Sequence, residues 1–293
     1  MRNFASLFVI ASAIFALAAT PARGQYHTIG IGSGSTSVNG VNDADQVVGT
    51  QFNLGNQPLL GFTILKKGGI LPVGILETQI GASSVTANGI NGLHQIVGNF
   101  IDVFGSHGYM ELNETYTTID FPGAKETVAT AINDSGEIVG YYLADSTFQG
   151  FQDIGGSLST LGPPGATFTQ IYGINNAGQI SGTYSGGDCP GTDCGFVYQG
   201  GTFTKITAPS ALTTSVYGVS NAGVVVGQYT TGLATHGFTE SGGVFTNVDV
   251  PNADPGTTVV MGANSSGTLV GNYTKTVPGT FGGTIVFGFE ENP

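Results

Sequence analysis

Tryptophan is absent from this sequence and basic side chains are scarce: Lys and Arg together number seven in 293 residues, against 19 Asp and Glu. Nucleic-acid binding needs Lys and Arg to neutralise phosphates and Arg to read guanine, so this surface argues against such a partner. An anionic membrane is disfavoured for the same reason. Cysteines number two and histidines four. Beyond the apolar run at residues 4–19 no segment reaches the ~20 residues that a membrane-spanning helix needs. Also missing are HExxH, GxSxG and phosphate-loop motifs, so no catalytic residue, metal or cofactor is expected. Charged residues make up only 9% of the chain, unlike a charge-rich disordered protein.

Residues 1–24 stand apart. Arg2 precedes the apolar run, and Pro21, Ala22, Arg23 and Gly24 follow it, the pattern of a secretory signal peptide. A retained membrane anchor is the competing reading, for which the run is short. Cleavage is expected after Ala22 or Gly24, and removal of residues 1–24 takes away both arginines and leaves five lysines against 19 acids, a formal charge of −14. The expected product is an exported, soluble monomer, extracellular or periplasmic, with no anchoring tail. Its acidity accounts for solubility.

What is abundant is glycine, 49 residues in all. In residues 128–165 four short runs rich in Val, Ile, Tyr and Phe alternate with Asn-Asp-Ser-Gly, a polar loop and Gly155-Gly156. Such runs and punctuation predict strands joined by tight hairpins. A single sheet of about forty residues cannot bury both faces alone, and the unit recurs. Asn133 stands seven residues before Gly140, and the same offset separates Asn42/Gly49, Asn91/Gly98, Asn175/Gly182, Ser220/Gly227 and Asn264/Gly271. A Gly-aromatic pair follows each, beginning at 61, 108, 150, 195, 237 and 288. Six copies of four strands at a period of 42–49 residues predict an all-β, six-bladed β-propeller.

The copies are out of phase with the chain ends. Tyr26-His-Thr-Ile resembles the fourth strands at 116–119, 203–206 and 245–248, whereas the sixth copy stops after its third strand. The expectation is one domain over 25–293. A closing strand within 25–35 completes the last blade, and six repeats run from about 36 to 290. Closure removes the unpaired edges of an open array.

Small residues at 40, 89, 131, 173, 218 and 262 suit innermost strands crowded at an axis. The neighbouring asparagines are read as holders of the hairpin turn rather than as a channel-lining site. The first hairpin is constant in length, whereas the stretch from anchor glycine to Gly-aromatic pair varies as 12, 10, 10, 13, 10 and 17 residues. This connection and the crossing to the next copy emerge on one side, which makes that side the expected binding face.

Repeats of the form Gly-Ile-Asn-x-x-Gly-x-Ile-Val-Gly stand at 131–140, 173–182 and 218–227, and His-Gly-aromatic motifs at His107-Gly-Tyr109 and His236-Gly-Phe238. Segments 116–123 and 245–251 complete the pattern. Over nearly all of residues 26–290 the chain resembles the HAF-type bacterial extracellular repeat proteins. The resemblance implies export and a repeat architecture, and carries no defined activity. Four copies have Leu60, Gln149, Cys194 and Phe287 in place of the histidine, so it is no obligatory ligand.

His107 and His236 fall in copies two and five, too far apart across a ring to share a metal, and His94 lies in a turn on the other face. Cys189 and Cys194 are expected to form a disulfide that holds the lengthened loop of copy four, worth about 2 kcal/mol for so short a loop. Aromatics recur two residues after the anchor glycine at Phe100, Tyr142, Tyr184, Tyr229 and Tyr273, with Phe52 one place further on. Stacking on a sugar or peptide and packing between blades are both open readings. The first makes Tyr142, Tyr184, Tyr229 and Tyr273, with Asp145 and Asp188 on the variable loops, the candidate ligand-binding residues. Asp102 and Asp193 project from the same loops, and Asp43 and Asp45 resemble part of a calcium loop without its glycine and terminal Glu.

The function expected from these features is a non-catalytic exported module that binds a protein, peptide or glycan through variable loops. The alternatives are an extracellular hydrolase or lyase with a carboxylate site at the channel mouth, and a structural envelope or matrix component.

Overall fold

The computed structural model describes residues 25–31, 34–52, 58–65, 69–73, 82–277 and 284–293. The expected signal peptide lies outside the described residues. Among the described residues every helix or strand is a β-strand, and no helix is long and apolar enough to cross a membrane.

Strand β1 (Gln25–Ile29) comes first, then β2 (Thr36–Val41), β3 (Val47–Phe52), β4 (Pro58–Ile64) and β5 (Ile70–Val73). The second group is β6 (Ser84–Ile90), β7 (Ile96–Ile101), β8 (Ser106–Leu112) and β9 (Thr115–Ile119). The third is β10 (Glu126–Ile132), β11 (Ile138–Ala144), β12 (Thr147–Ile154) and β13 (Ser157–Thr160). The fourth is β14 (Ala166–Ile174), β15 (Ile180–Gly186), β16 (Cys189–Gln199) and β17 (Thr202–Ile206). The fifth is β18 (Thr213–Val219), β19 (Val225–Thr231), β20 (Ala234–Ser241) and β21 (Val244–Val248). The last group has β22 (Val259–Ala263), β23 (Leu269–Thr276) and β24 (Thr284–Asn292).

Within each group the strands pair antiparallel in chain order, and β1 supplies the outer strand of the last sheet, from Gln25 opposite Asn292 to Ile29 opposite Gly288. Hydrogen bonding divides the strands into five sheets rather than six separate ones. Four contain four strands, while β6–β9 and β10–β13 form one eight-stranded sheet, because a single parallel pair, Glu126 with Ser106, links β10 to β8.

The anchor glycine and the Gly-aromatic pair have one physical explanation. Gly49, Gly98, Gly140, Gly182, Gly227 and Gly271 lie directly opposite Phe62, Tyr109, Phe151, Phe196, Phe238 and Phe289 on the next strand. Each ring folds over its glycine and is buried. The apolar core is therefore a series of interfaces between neighbouring groups: Val48 and Val73 pack with Val85 and Tyr109, and Val139 packs with Ile171. The series returns on itself where Val270 of the last group packs with Val38, Val47 and Phe62 of the first.

The asparagines of the first hairpin hold the turn, as expected, and also bridge the groups. Asn175 Oδ1 accepts the backbone N–H groups of Ala177 and Gln179 at 3.0 and 2.9 Å, and Nδ2 donates to Ser220 O at 2.9 Å. Asn42, Asn91, Asn133 and Asn264 likewise donate to Asn91, Asn133, Asn175 and Asn42 carbonyls. The circle breaks at Ser220, whose short hydroxyl accepts from Val224 N at 3.1 Å. Where four other groups have Gln or Glu, and the last has Thr268, Val224 offers no acceptor. Ser220→Asn with Val224→Gln should therefore restore the bridge and raise stability by about 1 kcal/mol, a melting-temperature gain of about 3 °C for a domain of this size. An unchanged or lower calorimetric midpoint would show that the bridge adds nothing.

Candidate functional site

Every inner strand is interrupted one residue before its small residue. The register of β2 on β3 shifts between Val38 and Gly40, and β6, β10, β14, β18 and β22 shift at the equivalent place. A bulge re-aims its extra residue. Those residues are Asn39, Asn88, Thr130, Tyr172, Tyr217 and Met261, and all six line the axis. Beneath them the backbones close in: a Cβ on Gly89 would meet Thr130 O at 2.7 Å, and one on Gly173 would meet Gly218 Cα at 2.9 Å.

Above this ring, towards the variable loops, a cavity of about 250 Å³ opens. One side is amide and hydroxyl. Asn39 Nδ2 donates to Ala87 O at 2.8 Å, Asn88 Nδ2 to Ala129 O at 3.0 Å, and Thr86 Oγ1 to Asn99 Oδ1 at 2.5 Å. The other side is phenolic. Tyr141 meets Tyr172 edge-on at 6.0 Å between centroids, and Tyr172 meets Tyr217 at 5.0 Å. Burial raises all three phenols above the usual tyrosine range, and carboxylates nearby add to it: Glu126 for Tyr141, Asp193 for Tyr172 and Tyr217. These groups stay neutral. The described lining contains no Asp, Glu, His, Lys or Arg.

At the opposite mouth the acids are engaged within the ring. Asp43 accepts from Ser265 N and Asn221 Nδ2, both at 2.8 Å, and Asp134 accepts from Gly92 N at 2.7 Å and Asn176 Nδ2 at 2.6 Å. Burial alone would raise the Asp43 carboxyl, but these hydrogen bonds outweigh it and leave it lowered. Asp45 accepts from Asn264 and Thr268. Among the described residues no group of three or more His, Cys, Asp or Glu is arranged to hold a metal ion.

No family model and no curated protein matches the sequence. Solved structures resemble it in shape. TolB from Acinetobacter baumannii superposes with a TM-score of 0.55 at 10% identity, covering 88% of this chain and 79% of that one. A gluconolactonase from Xanthomonas campestris gives 0.54 at 11%, covering 97% and 96%. A mutant of AofleA from Arthrobotrys oligospora gives 0.50 at 12%, covering 87% and 82%. The fold is a β-propeller. Identities this low carry the fold and nothing of the activity.

In the propeller the tyrosines expected at the site are packing groups. Tyr142 stacks on Phe121 at 3.7 Å between centroids, and its hydroxyl lies 2.8 Å from Thr160 Oγ1. Tyr184 donates to Asp188 Oδ1 at 2.6 Å, Tyr229 donates to Asn247 Oδ1 at 2.8 Å, and the Tyr273 and Thr28 hydroxyls meet at 2.9 Å. All four rings are buried, so the packing reading describes them and their faces are covered. Asp145 is exposed on a tight turn, and exposed Asp188 is held by Tyr184 and Lys205; neither lines the cavity. The residues that do line it, above all Tyr141, Tyr172 and Tyr217, escaped the sequence reading. For Tyr172 and Tyr217 the only signal is that each bulge residue immediately precedes a small one; Tyr141 directly follows the anchor glycine Gly140.

Cys189 and Cys194 are joined, and both sulfurs are buried beside Tyr184 and Phe196. The bridge fixes the loop that carries Asp193, whose charge adds to the burial that raises Tyr172 and Tyr217. Replacing both cysteines by alanine should remove about 2 kcal/mol through loop-closure entropy and lower the melting temperature by about 5 °C; an unchanged midpoint would show that the loop is held by packing alone. The histidines are tied to carboxylates. His107 Nδ1 lies 2.9 Å from Asp120 Oδ1 and its Nε2 3.3 Å from Asp102 Oδ1, and His236 Nδ1 lies 3.3 Å from Asp249.

Proposed function

We propose that this protein is an exported, non-catalytic propeller of six blades that binds a partner through its variable-loop face. Counting the eight-stranded sheet as two blades joined by one parallel pair gives the six, with the last completed by β1. The disulfide suits an oxidising compartment outside the cytoplasm, and the His-Gly-aromatic motifs are similar to those of the HAF-type exported repeat proteins. The single observation that carries the binding function is the cavity above the bulge ring. It is concave, opens towards the variable loops and is lined by neutral amides, hydroxyls and phenols. Ligand sites combine apolar walls with a few convergent polar groups in this way. General acid–base or nucleophilic chemistry usually draws on Asp, Glu, His, Lys or Cys, none of which stands in the described lining.

The test is to probe immobilised glycans, peptides and proteins with purified protein carrying a polyethylene glycol chain at one introduced cysteine. Leu233→Cys places the chain on an exposed loop of the variable face, and Leu93→Cys places it on the opposite turns. Binding that is lost in the first and kept in the second supports the proposal. Loss only in the second, or turnover of a hydrolase substrate without retained binding, contradicts it.

A further inference from the structure

We infer that the cavity takes one neutral sugar ring, the terminal unit of a glycan, held between the phenolic and amide sides. This rests on the binding function proposed above and adds the chemical class of the ligand.

Three observations lead to it. The first is size. About 250 Å³ is below the roughly 300–1,000 Å³ of pockets that enclose drug-sized ligands, so one ring enters and the rest of the ligand stays outside. The second is amphipathy. A pyranose has an apolar C–H face and a rim of hydroxyls. Tyr172 and Tyr217 offer aromatic surface to the first. For the second, two polar atoms at the lining accept or donate nothing among the described residues: Asn88 Oδ1, whose amide nitrogen is anchored to Ala129 O, and the Tyr141 hydroxyl. Neither is among the side-chain atoms sealed from solvent without a partner, so both are within reach of a ligand. One accepts from a sugar hydroxyl, and the other donates or accepts. Amides already fixed by the backbone lose little freedom on binding.

The third is charge. An anionic ligand would leave solvent for a lining with no cation among the described residues, where the charges of Glu126 and Asp193 already raise the phenols. That desolvation would go uncompensated. A quaternary ammonium ion could use the aromatic rings, but it would leave Asn88 Oδ1 and the Tyr141 hydroxyl without hydrogen-bonding partners. A neutral sugar meets both needs.

The experiment is calorimetric titration of the full protein with the methyl glycosides of glucose, galactose, mannose and N-acetylglucosamine. Glucuronate serves as the anionic probe and choline as the cationic one. At least one neutral glycoside should bind saturably, and neither charged probe should. Tyr141→Phe, which removes a hydroxyl with no partner among the described residues, should leave the melting temperature unchanged and weaken the sugar on the order of tenfold. Met261→Trp should fill the cavity and abolish sugar binding. Four results overturn the inference: choline or glucuronate binding in preference, no glycoside binding at 50-fold excess over about 1 mM, Tyr141→Phe binding like the parent, or Met261→Trp retaining the sugar. Binding to the immobilised array that survives Met261→Trp but not the polymer at Leu233→Cys would leave the variable-face function standing and remove the sugar pocket alone.

Discussion

Removing residues 25–29 should destabilise the protein by on the order of 3–5 kcal/mol. Several contacts go together. Tyr26 packs its ring 5.9 Å from that of Phe289, and the Thr28 hydroxyl meets that of Tyr273 at 2.9 Å. Ile29 sits against the cluster of Val38, Val47, Phe62 and Val270, where the first and last groups join. β24 would also lose its outer partner and present an open edge, so aggregation should accompany the loss. Equilibrium denaturation of the shortened protein measures the effect, with Leu233→Ser at a fully exposed loop as the control. A midpoint equal to that control would mean that the ends of the chain do not hold one sheet.

Gly140→Ala should be nearly as damaging, at about 3 kcal/mol or more. The added Cβ would fall 2.0 Å from Val128 O and 2.8 Å from the Phe151 ring. The obstacle is packing, since both sides of the contact are fixed: the carbonyl belongs to the bulged inner strand β10, and Phe151 is fully buried. Relief requires β10 to move, and with it Thr130 in the axial ring. Gly69→Ala is the matched control, because among the described residues a Cβ there meets only Leu65 Cδ1, at 3.9 Å. Thermal melts of the two variants should differ by about 10 °C or more. Similar midpoints would contradict the close approach at the anchor glycine.

These two sites show what could be read from the residues in advance. The repeat, the hairpins and the displaced closing strand were legible because each copy meets the same constraint: a glycine under an aromatic ring, an asparagine closing a turn, a small residue at a crowded axis. Recurrence at equivalent positions records a recurring environment. The same logic covers Tyr142, Tyr184, Tyr229 and Tyr273. They recur because each fills the same gap between blades, which makes them scaffold. The residues around the cavity are not alike: Asn39, Asn88, Thr130, Tyr172, Tyr217 and Met261 occupy one structural position. Only the bulge turns that position towards the axis, and a bulge leaves no fixed residue type behind it. Nor does the fusion of two sheets through Glu126 and Ser106 leave a pattern, since it is one pair of backbone groups brought together by the crossing between them.

Ring closure rests on β1 and β24 lying side by side. Hydrogen exchange of the intact protein, read by mass spectrometry over residues 25–31, tests this directly. Paired along β24, about half of these amides should exchange slowly, as alternate N–H groups of an outer strand do. Deleting residues 288–293 should release them. Exchange of the whole segment at the rate of a free peptide in the intact protein would contradict the closed ring and every placement built on it.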